Sequence, residues 1–246
     1  MTNTHYPIPN TSPLPVVVVA CKVLQDVLEQ LLPEDLTQQI TFMDYGLHRV
    51  PSQMTGALQE AIGSVETPSL AVLGYGLCGN GLKGLQAGMH TLLVPRTDDC
   101  IAILLGSYRD YMREFQAVPG TYYLTKGWLE SGSNPLKEYQ EYVPKYGAKE
   151  AMWIVDQQYQ AYERLMLVAR TQADLEEYRP QAQEVARFCE RWGMRYEERL
   201  GSDRYVERLI EAATALGNGH QPPSWLESDF VVIPPGGEIR QEMFMR

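Results

Sequence analysis

Basic residues are scarce in this chain: 21 Lys and Arg stand against 31 Asp and Glu, a formal net charge of −10. That balance excludes non-specific binding to nucleic acid or to an anionic membrane surface, since each needs a basic face. Long apolar runs are also missing. The longest are of strand length, and Val16 to Cys21 is far too short for a signal-peptide core or a membrane span. A cytoplasmic location is the expectation. Cysteine is sparse as well, with four residues and no C-x-x-C pair, which excludes a zinc ribbon or a ferredoxin-like motif. In a reducing compartment those four are expected as thiols, so their placement bears on chemistry or packing and not on disulfides. No solenoid-type repeat is present.

What is there is a regular alternation of apolar runs and helical patterns. The 246 residues, 44% of them apolar, suffice for one large domain with a substantial core. Residues 1–14 read as a flexible leader, polar and proline-rich. Four strands are expected in "LPVVVVA", "QITFMDYG", "SLAVLGYG" and "HTLLVP". Helices are expected over "KVLQDVLEQLL", "PSQMTGALQEAIGSV", the Gly81–Gly88 region and "DDCIAILLGSYRDYMREF", the last with Asp98 or Asp99 as N-cap. Near-continuous apolar strands alternating with helices predict a parallel, Rossmann-like, doubly wound α/β sheet with helices on both faces.

After Phe115 the pattern loosens. "AVPGTYYLTKGWLESGSNP" reads as a glycine- and aromatic-rich connection without a period. A helical insertion follows over about 135–192, long over 136–167 with an interruption near "PKYG", and resuming at Pro180. The chain then returns to the sheet over about 194–235. Residues 15–246 are thus expected to form a single α/β domain.

Open parallel sheets bind ligands outside the carboxyl ends of their strands. Four reactive side chains fall there: Cys21 after "VVVVA", His48 after "ITFMDYGL", Cys78 after "AVLGYGL" and Cys100 after "TLLVPRTDD". One such residue would pass as a packed core residue; three cysteines and a histidine at one edge point to thiolate or metal chemistry. Sulfur and imidazole suit zinc, and three thiolates also suit an iron–sulfur cluster with one open iron. Cys189, inside a helix among apolar neighbours, reads as packing.

The stretch "VLGYGLCGNGLKG" carries G-x-G-x-x-G twice, and Asp98 lies about twenty residues on, as in a dinucleotide fingerprint. That fingerprint normally opens the first βα unit, and this is the third, so a nucleotide is not expected. The glycines, Gly76 and Gly79 among them, instead let the backbone approach closely and offer N–H groups to an anion. "PRTDDC" adds Arg96 and Asp99 beside Cys100 as candidate catalytic residues. "TYYLTKGW" adds Tyr122, Tyr123, Lys126 and Trp128 as candidate substrate contacts.

Together "VVACKVL", "DYGLHRVP", "GYGLCGNGLKGL", "LLVPRTDDCIAILLGS", "PGTYYLTKGW" and "DFVVIPPG" resemble the domain-of-unknown-function 1638 family of prokaryotic proteins. The resemblance covers nearly the whole chain after the leader. It places the family's motif cysteines and histidine on Cys21, His48, Cys78 and Cys100. It also implies a link to corrinoid-dependent methyl transfer and one-carbon metabolism, with a corrinoid or methyltransferase protein as partner. No catalytic role is carried over with it.

The expectation is a metal-dependent enzyme acting on a small molecule, with methyl or alkyl transfer to a thiol as its most specific reaction. His48, Cys78 and Cys100 would be ligands, and Cys21 a fourth ligand or a nucleophile. The alternatives are an iron–sulfur lyase or dehydratase, or a metal- or corrinoid-handling accessory protein that turns nothing over.

Overall fold

Six consecutive buried residues, Val16–Cys21, form the first strand, β1. In the computed structural model, which describes residues 13–246, the chain continues through α1 (Gln25–Leu31), β2 (Thr37–Met43), α2 (Pro51–Gly63), β3 (Leu70–Gly74), β4 (Thr91–Pro95) and α3 (Cys100–Leu104). It then forms α4 (Tyr108–Ala117), β5 (Thr121–Leu124), α5 (Lys126–Glu130), α6 (Pro135–Tyr146) and α7 (Ala148–Tyr159). Next come β6 (Arg164–Ala169), α8 (Gln172–Cys189), β7 (Arg195–Leu200), α9 (Arg204–Gly217), α10 (Leu226–Asp229) and β8 (Phe230–Ile233). Of the leader expected over residues 1–14, residues 1–12 lie outside the described residues, and the Leu14 N–H donates to the Gly217 carbonyl at 2.8 Å. The chain divides into two compact units, one from the residues up to Ile103 with Arg204–Arg246, the other Leu104–Asp203.

The first unit holds a five-stranded sheet in the order β2-β1-β3-β4-β8. β1 is parallel to β2 and β3, and β3 to β4, while β8 runs antiparallel along β4. The sheet is therefore mixed, not wholly parallel. Strand side chains alternate between faces, and this sheet uses both. Val17, Val19 and Cys21 of β1, with Ala71, Leu73 and the following Tyr75, share a buried cluster with Met54, Leu58 and Ile62 of α2. On the other face Val16 meets α9 so closely that a Cβ on Gly217 would lie 2.6 Å from its Cγ2. Helices thus cover both faces, which is why four valines in a row are tolerated in β1.

The second unit carries its own parallel sheet, β5-β6-β7, which the sequence pattern does not reveal. The stretch expected to be an aperiodic connection contains β5 and α5. The helical run expected to reach 167 stops at Tyr159, and "RLMLVA" becomes the fully buried central strand β6. β7, expected to return the chain to the first sheet, pairs with β6; that return comes only at β8. The helix expected from Pro180 begins eight residues earlier, at Gln172, where Thr171 and Asp174 form a capping box.

Two further expectations fail for local reasons. No helix forms over Gly81–Gly88, because the preceding residues Cys78, Gly79 and Asn80 all have positive φ (49°, 64° and 69°) and Gly84 does too. The helix expected to run from Cys100 to Phe115 breaks at Gly106, whose φ is 89° and where a Cβ would lie 2.6 Å from Ser202. It restarts at α4, capped by the Ser107 hydroxyl accepting from the Asp110 N–H.

Arg164 opens β6 inside the second unit, only 4% exposed. Its Nε donates to Thr121 Oγ1 at 2.9 Å, Nη1 lies 3.1 Å from Glu114 Oε2 and 3.0 Å from Glu197 Oε2, and Nη2 donates to the Glu114 carbonyl. One cation thereby ties α4, β5 and β7 to β6. Removing it leaves the buried Glu114 carboxylate paired with Arg199, whose Nη2 lies 2.7 Å from Oε1, but strips Thr121 and the Glu114 carbonyl of their donor. Arg164→Ala is therefore expected to cost roughly 3 kcal/mol of stability in urea unfolding, the low end for a broken buried pair.

Candidate functional site

The strand order of the first sheet reverses between β1 and β3, since α1 and β2 lead to one side of β1 and β3 and β4 follow on the other. Such a switch point is where parallel sheets open a crevice at their carboxyl ends. Cys21 is the last residue of β1 there, and Tyr75-Gly76-Leu77-Cys78 leaves β3 beside it. Cys100 is the first residue of α3, after β4. All three cysteines are buried thiols.

Glycine makes the approach possible. A Cβ at Gly74 would lie 2.5 Å from the Cβ of Ala20, its neighbour in register, so only glycine lets the ends of β1 and β3 lie this close. A Cβ at Gly76 would lie 2.7 Å from the Asp99 backbone and from Thr97 Oγ1. The loop after β3 is thereby laid along the loop after β4: Leu77 N–H donates to the Thr97 carbonyl and Cys78 N–H to the Asp98 carbonyl, both at 2.8 Å. The chain then turns through Cys78–Asn80, with Gly79 and Asn80 exposed. Thr55 of α2 anchors it through the Gly81 carbonyl at 2.7 Å.

The sulfurs sit within Coulombic range of one another. Burial pushes the Cys21 thiol up to about 11 and that of Cys78 higher, and Asp99 and then Cys21 add to the rise at Cys78. Cys100 is raised well above the ordinary thiol value by burial first, then by Cys78 and Cys21. Backbone N–H groups oppose this: Gly76 and Cys100 donate toward the Cys78 sulfur, and Val23 toward that of Cys21. The three thiols are thus neutral as they stand, in a setting ready to stabilise sulfur anions once a cation is near.

Tyr75 was overlooked because it fills a variable position of the glycine pattern. It is 1% exposed, and its hydroxyl has no hydrogen-bond partner among the described residues. Cys21, Cys78 and Cys100 are its electrostatic neighbours, with Asp44 behind them. The available signal was an aromatic residue directly after a buried strand and flanked by two glycines.

Of the other candidates, Asp99 lies within electrostatic range of Cys78 and Cys100. Burial, with a smaller push from Asp98, raises the Asp99 carboxyl to about 6, and its Oδ1 accepts the Ile101 N–H at 2.9 Å. Arg96 turns to the end of the chain, donating to the carbonyls of Met243, Glu227 and Met245. His48 lies on the 3-10 turn Tyr45–Arg49 after β2, and its side chain is outside the described residues. Tyr122, Tyr123, Lys126 and Trp128 belong to the second unit, where Tyr122 donates to the Ser133 carbonyl and packs edge-on against Tyr159 and Tyr162. Cys189 is fully buried in that unit's core.

Residues 42–210 match the family described as Protein of unknown function (DUF1638). The chain belongs to this family. No curated protein and no solved structure matches it. The DUF1638 match spans His48, Tyr75, Cys78 and Cys100, and Cys21 lies before it.

The raised thiols set a reactivity. In metal-free native protein at pH 8, alkylation of Cys21, Cys78 and Cys100 by iodoacetamide is expected to be slow, with complete labelling after unfolding. Because only the thiolate reacts, the Cys21 rate should climb about tenfold per pH unit and level off near its pKa of about 11. Fast labelling at pH 8 would contradict the buried, neutral cluster.

Proposed function

We propose that this chain is a thiolate metalloprotein in which Cys21, Cys78 and Cys100 bind a soft cation, zinc first, at the switch point of a Rossmann-like, doubly wound sheet. The observation that carries this reading is the burial of three thiols after three strands adjacent in the sheet, β1, β3 and β4, around one switch point. The residues fit such a group in donor type, since thiolates select zinc and iron–sulfur clusters, and in the N–H groups directed at sulfur. Among the described residues no group of three His, Cys, Asp or Glu is spaced for a metal as the side chains stand. Loading therefore involves rotation of cysteine side chains between staggered wells. His48 and the substrate are alternative occupants of the fourth position.

Zinc held by these residues would supply Lewis acidity that lowers the pKa of a thiol at the site. The chain's own part is to release the three thiol protons, exclude water from the buried sulfurs, and place a small substrate at the mouth of the site. Asp99 would take up a proton there, its carboxyl being raised to about 6. Alkyl transfer to a thiol in one-carbon or corrinoid-linked metabolism is the reaction we assign, with a corrinoid or methyltransferase protein as partner. Nucleotide binding is disfavoured by the loop itself. The N–H groups of Leu77, Cys78, Gly81, Leu82, Lys83 and Gly84 all donate to backbone carbonyls, and no helix follows the glycines to receive a phosphate.

A second reading follows from the all-sulfur character of the described donors: a cluster held by three thiolates, with one iron open to substrate. Elemental analysis of protein purified with and without air separates the two. One equivalent of zinc in both preparations supports the first, and iron with sulfide only in the anaerobic one supports the second. Cys78→Ser or Cys100→Ser should lower metal content beyond the roughly 10–100-fold affinity loss typical of changes around a ligand. Neither metal in either preparation would sink both readings.

A further inference from the structure

The buried hydroxyl of Tyr75 is the least economical feature of the first unit. A donor shut away from water without a partner costs stability, of the order that a lost hydrogen bond costs. Phenylalanine would fill the same space without that cost. Yet the sheet places the tyrosine with care. Ala20 and Gly74 are paired in register, so the next residues along, Cys21 and Tyr75, are neighbours across β1 and β3. Val17, Val19 and Cys21 alternate onto the same face as Ala71, Leu73 and Tyr75, the face covered by α2. Gly74 and Gly76 on either side press against Ala20 and Asp99, which fixes the backbone that carries the ring. A donor on a fixed backbone is therefore held beside Cys21, within electrostatic range of Cys78 and Cys100.

Building on the metal-thiolate reading, we propose that the Tyr75 hydroxyl is the binding donor for a small monoanionic ligand, the thiolate or carboxylate of the substrate, held within the Cys21–Cys78–Cys100 site. Three thiolates on a divalent cation already carry net negative charge, so an anionic ligand added to them needs a neutral donor from the protein. Tyr75 is the one such side chain in the cluster whose hydrogen-bonding capacity is unused among the described residues. Tyr75 is thus a binding residue; no proton transfer is assigned to it.

Cobalt(II) and azide serve as probes. Wild type and Tyr75→Phe are loaded with cobalt, the sulfur-to-cobalt charge-transfer band is recorded, and azide is titrated against the visible ligand-field bands. Both proteins should take up the same cobalt with the same charge-transfer band. Tyr75→Phe should bind azide about 10- to 100-fold more weakly, the effect of one lost hydrogen bond to a charged ligand. The melting temperature of metal-free Tyr75→Phe should equal or exceed that of wild type, because an unsatisfied hydroxyl has gone. If wild type shows no charge-transfer band, the metal-thiolate reading falls and this inference with it. Cobalt bound equally and azide affinity unchanged would overturn the inference alone. So would a metal-free variant that melts several degrees lower, since the hydroxyl would then have a partner within the protein.

Discussion

The contact between Gly74 and Ala20 governs the chemistry of the first unit. With no Cβ on one strand and a single methyl on the other, the carboxyl ends of β1 and β3 close to a separation that any larger pair would prevent. Everything reactive is hung from that junction. Cys21 ends one strand, Tyr75 leaves the other, and Gly76 directs the chain along the β4 loop so that Cys78 meets Cys100. The apolar runs on either side hold this geometry rigidly, because they are buried on both faces and have no slack in register. A loose sheet edge would let three neutral thiols drift apart; here the glycines set the spacing and the valines keep it.

Much of the first unit was legible in the amino-acid sequence, for a physical reason. Strands buried on both faces must be apolar throughout, so "VVVVA", "SLAVLG" and "HTLLVP" announce themselves. The cysteines at their ends followed from the general rule for parallel sheets. The second unit was hidden because its strands break that pattern. β6 opens with Arg164, a buried charge that neutralises Glu114, and it follows α7 after a four-residue link. A polar residue at a strand start, satisfied only by partners distant in sequence, carries no local signal. β7 is mostly charged, with no fully buried residue, and β5 is four residues long.

Tyr75 was missed for a different reason. Pattern reading looks at the fixed positions of a motif, the glycines, and at the obviously reactive residue, the cysteine. The residue between two glycines was treated as filler. Arg96 shows the converse. A guanidinium next to two aspartates reads as an anion binder, but three carbonyls from the chain's last twenty residues engage it, and nothing near Arg96 in sequence foretells them.

Chain order gives the discontinuous first unit a consequence during synthesis. The second unit is one continuous stretch, complete once Asp203 has emerged, whereas the first lacks α9 and β8 until residues 204–233 are made. Through that interval one face of β1 lacks α9 and the outer edge of β4 is unpaired, an edge open to association with other chains. The loop that carries Cys78 also waits, since Gly84 and Ala87 bond to the carbonyls of Ile239 and Gly237. The thiols are therefore at their most exposed on the ribosome, and the finished sheet is what shelters them.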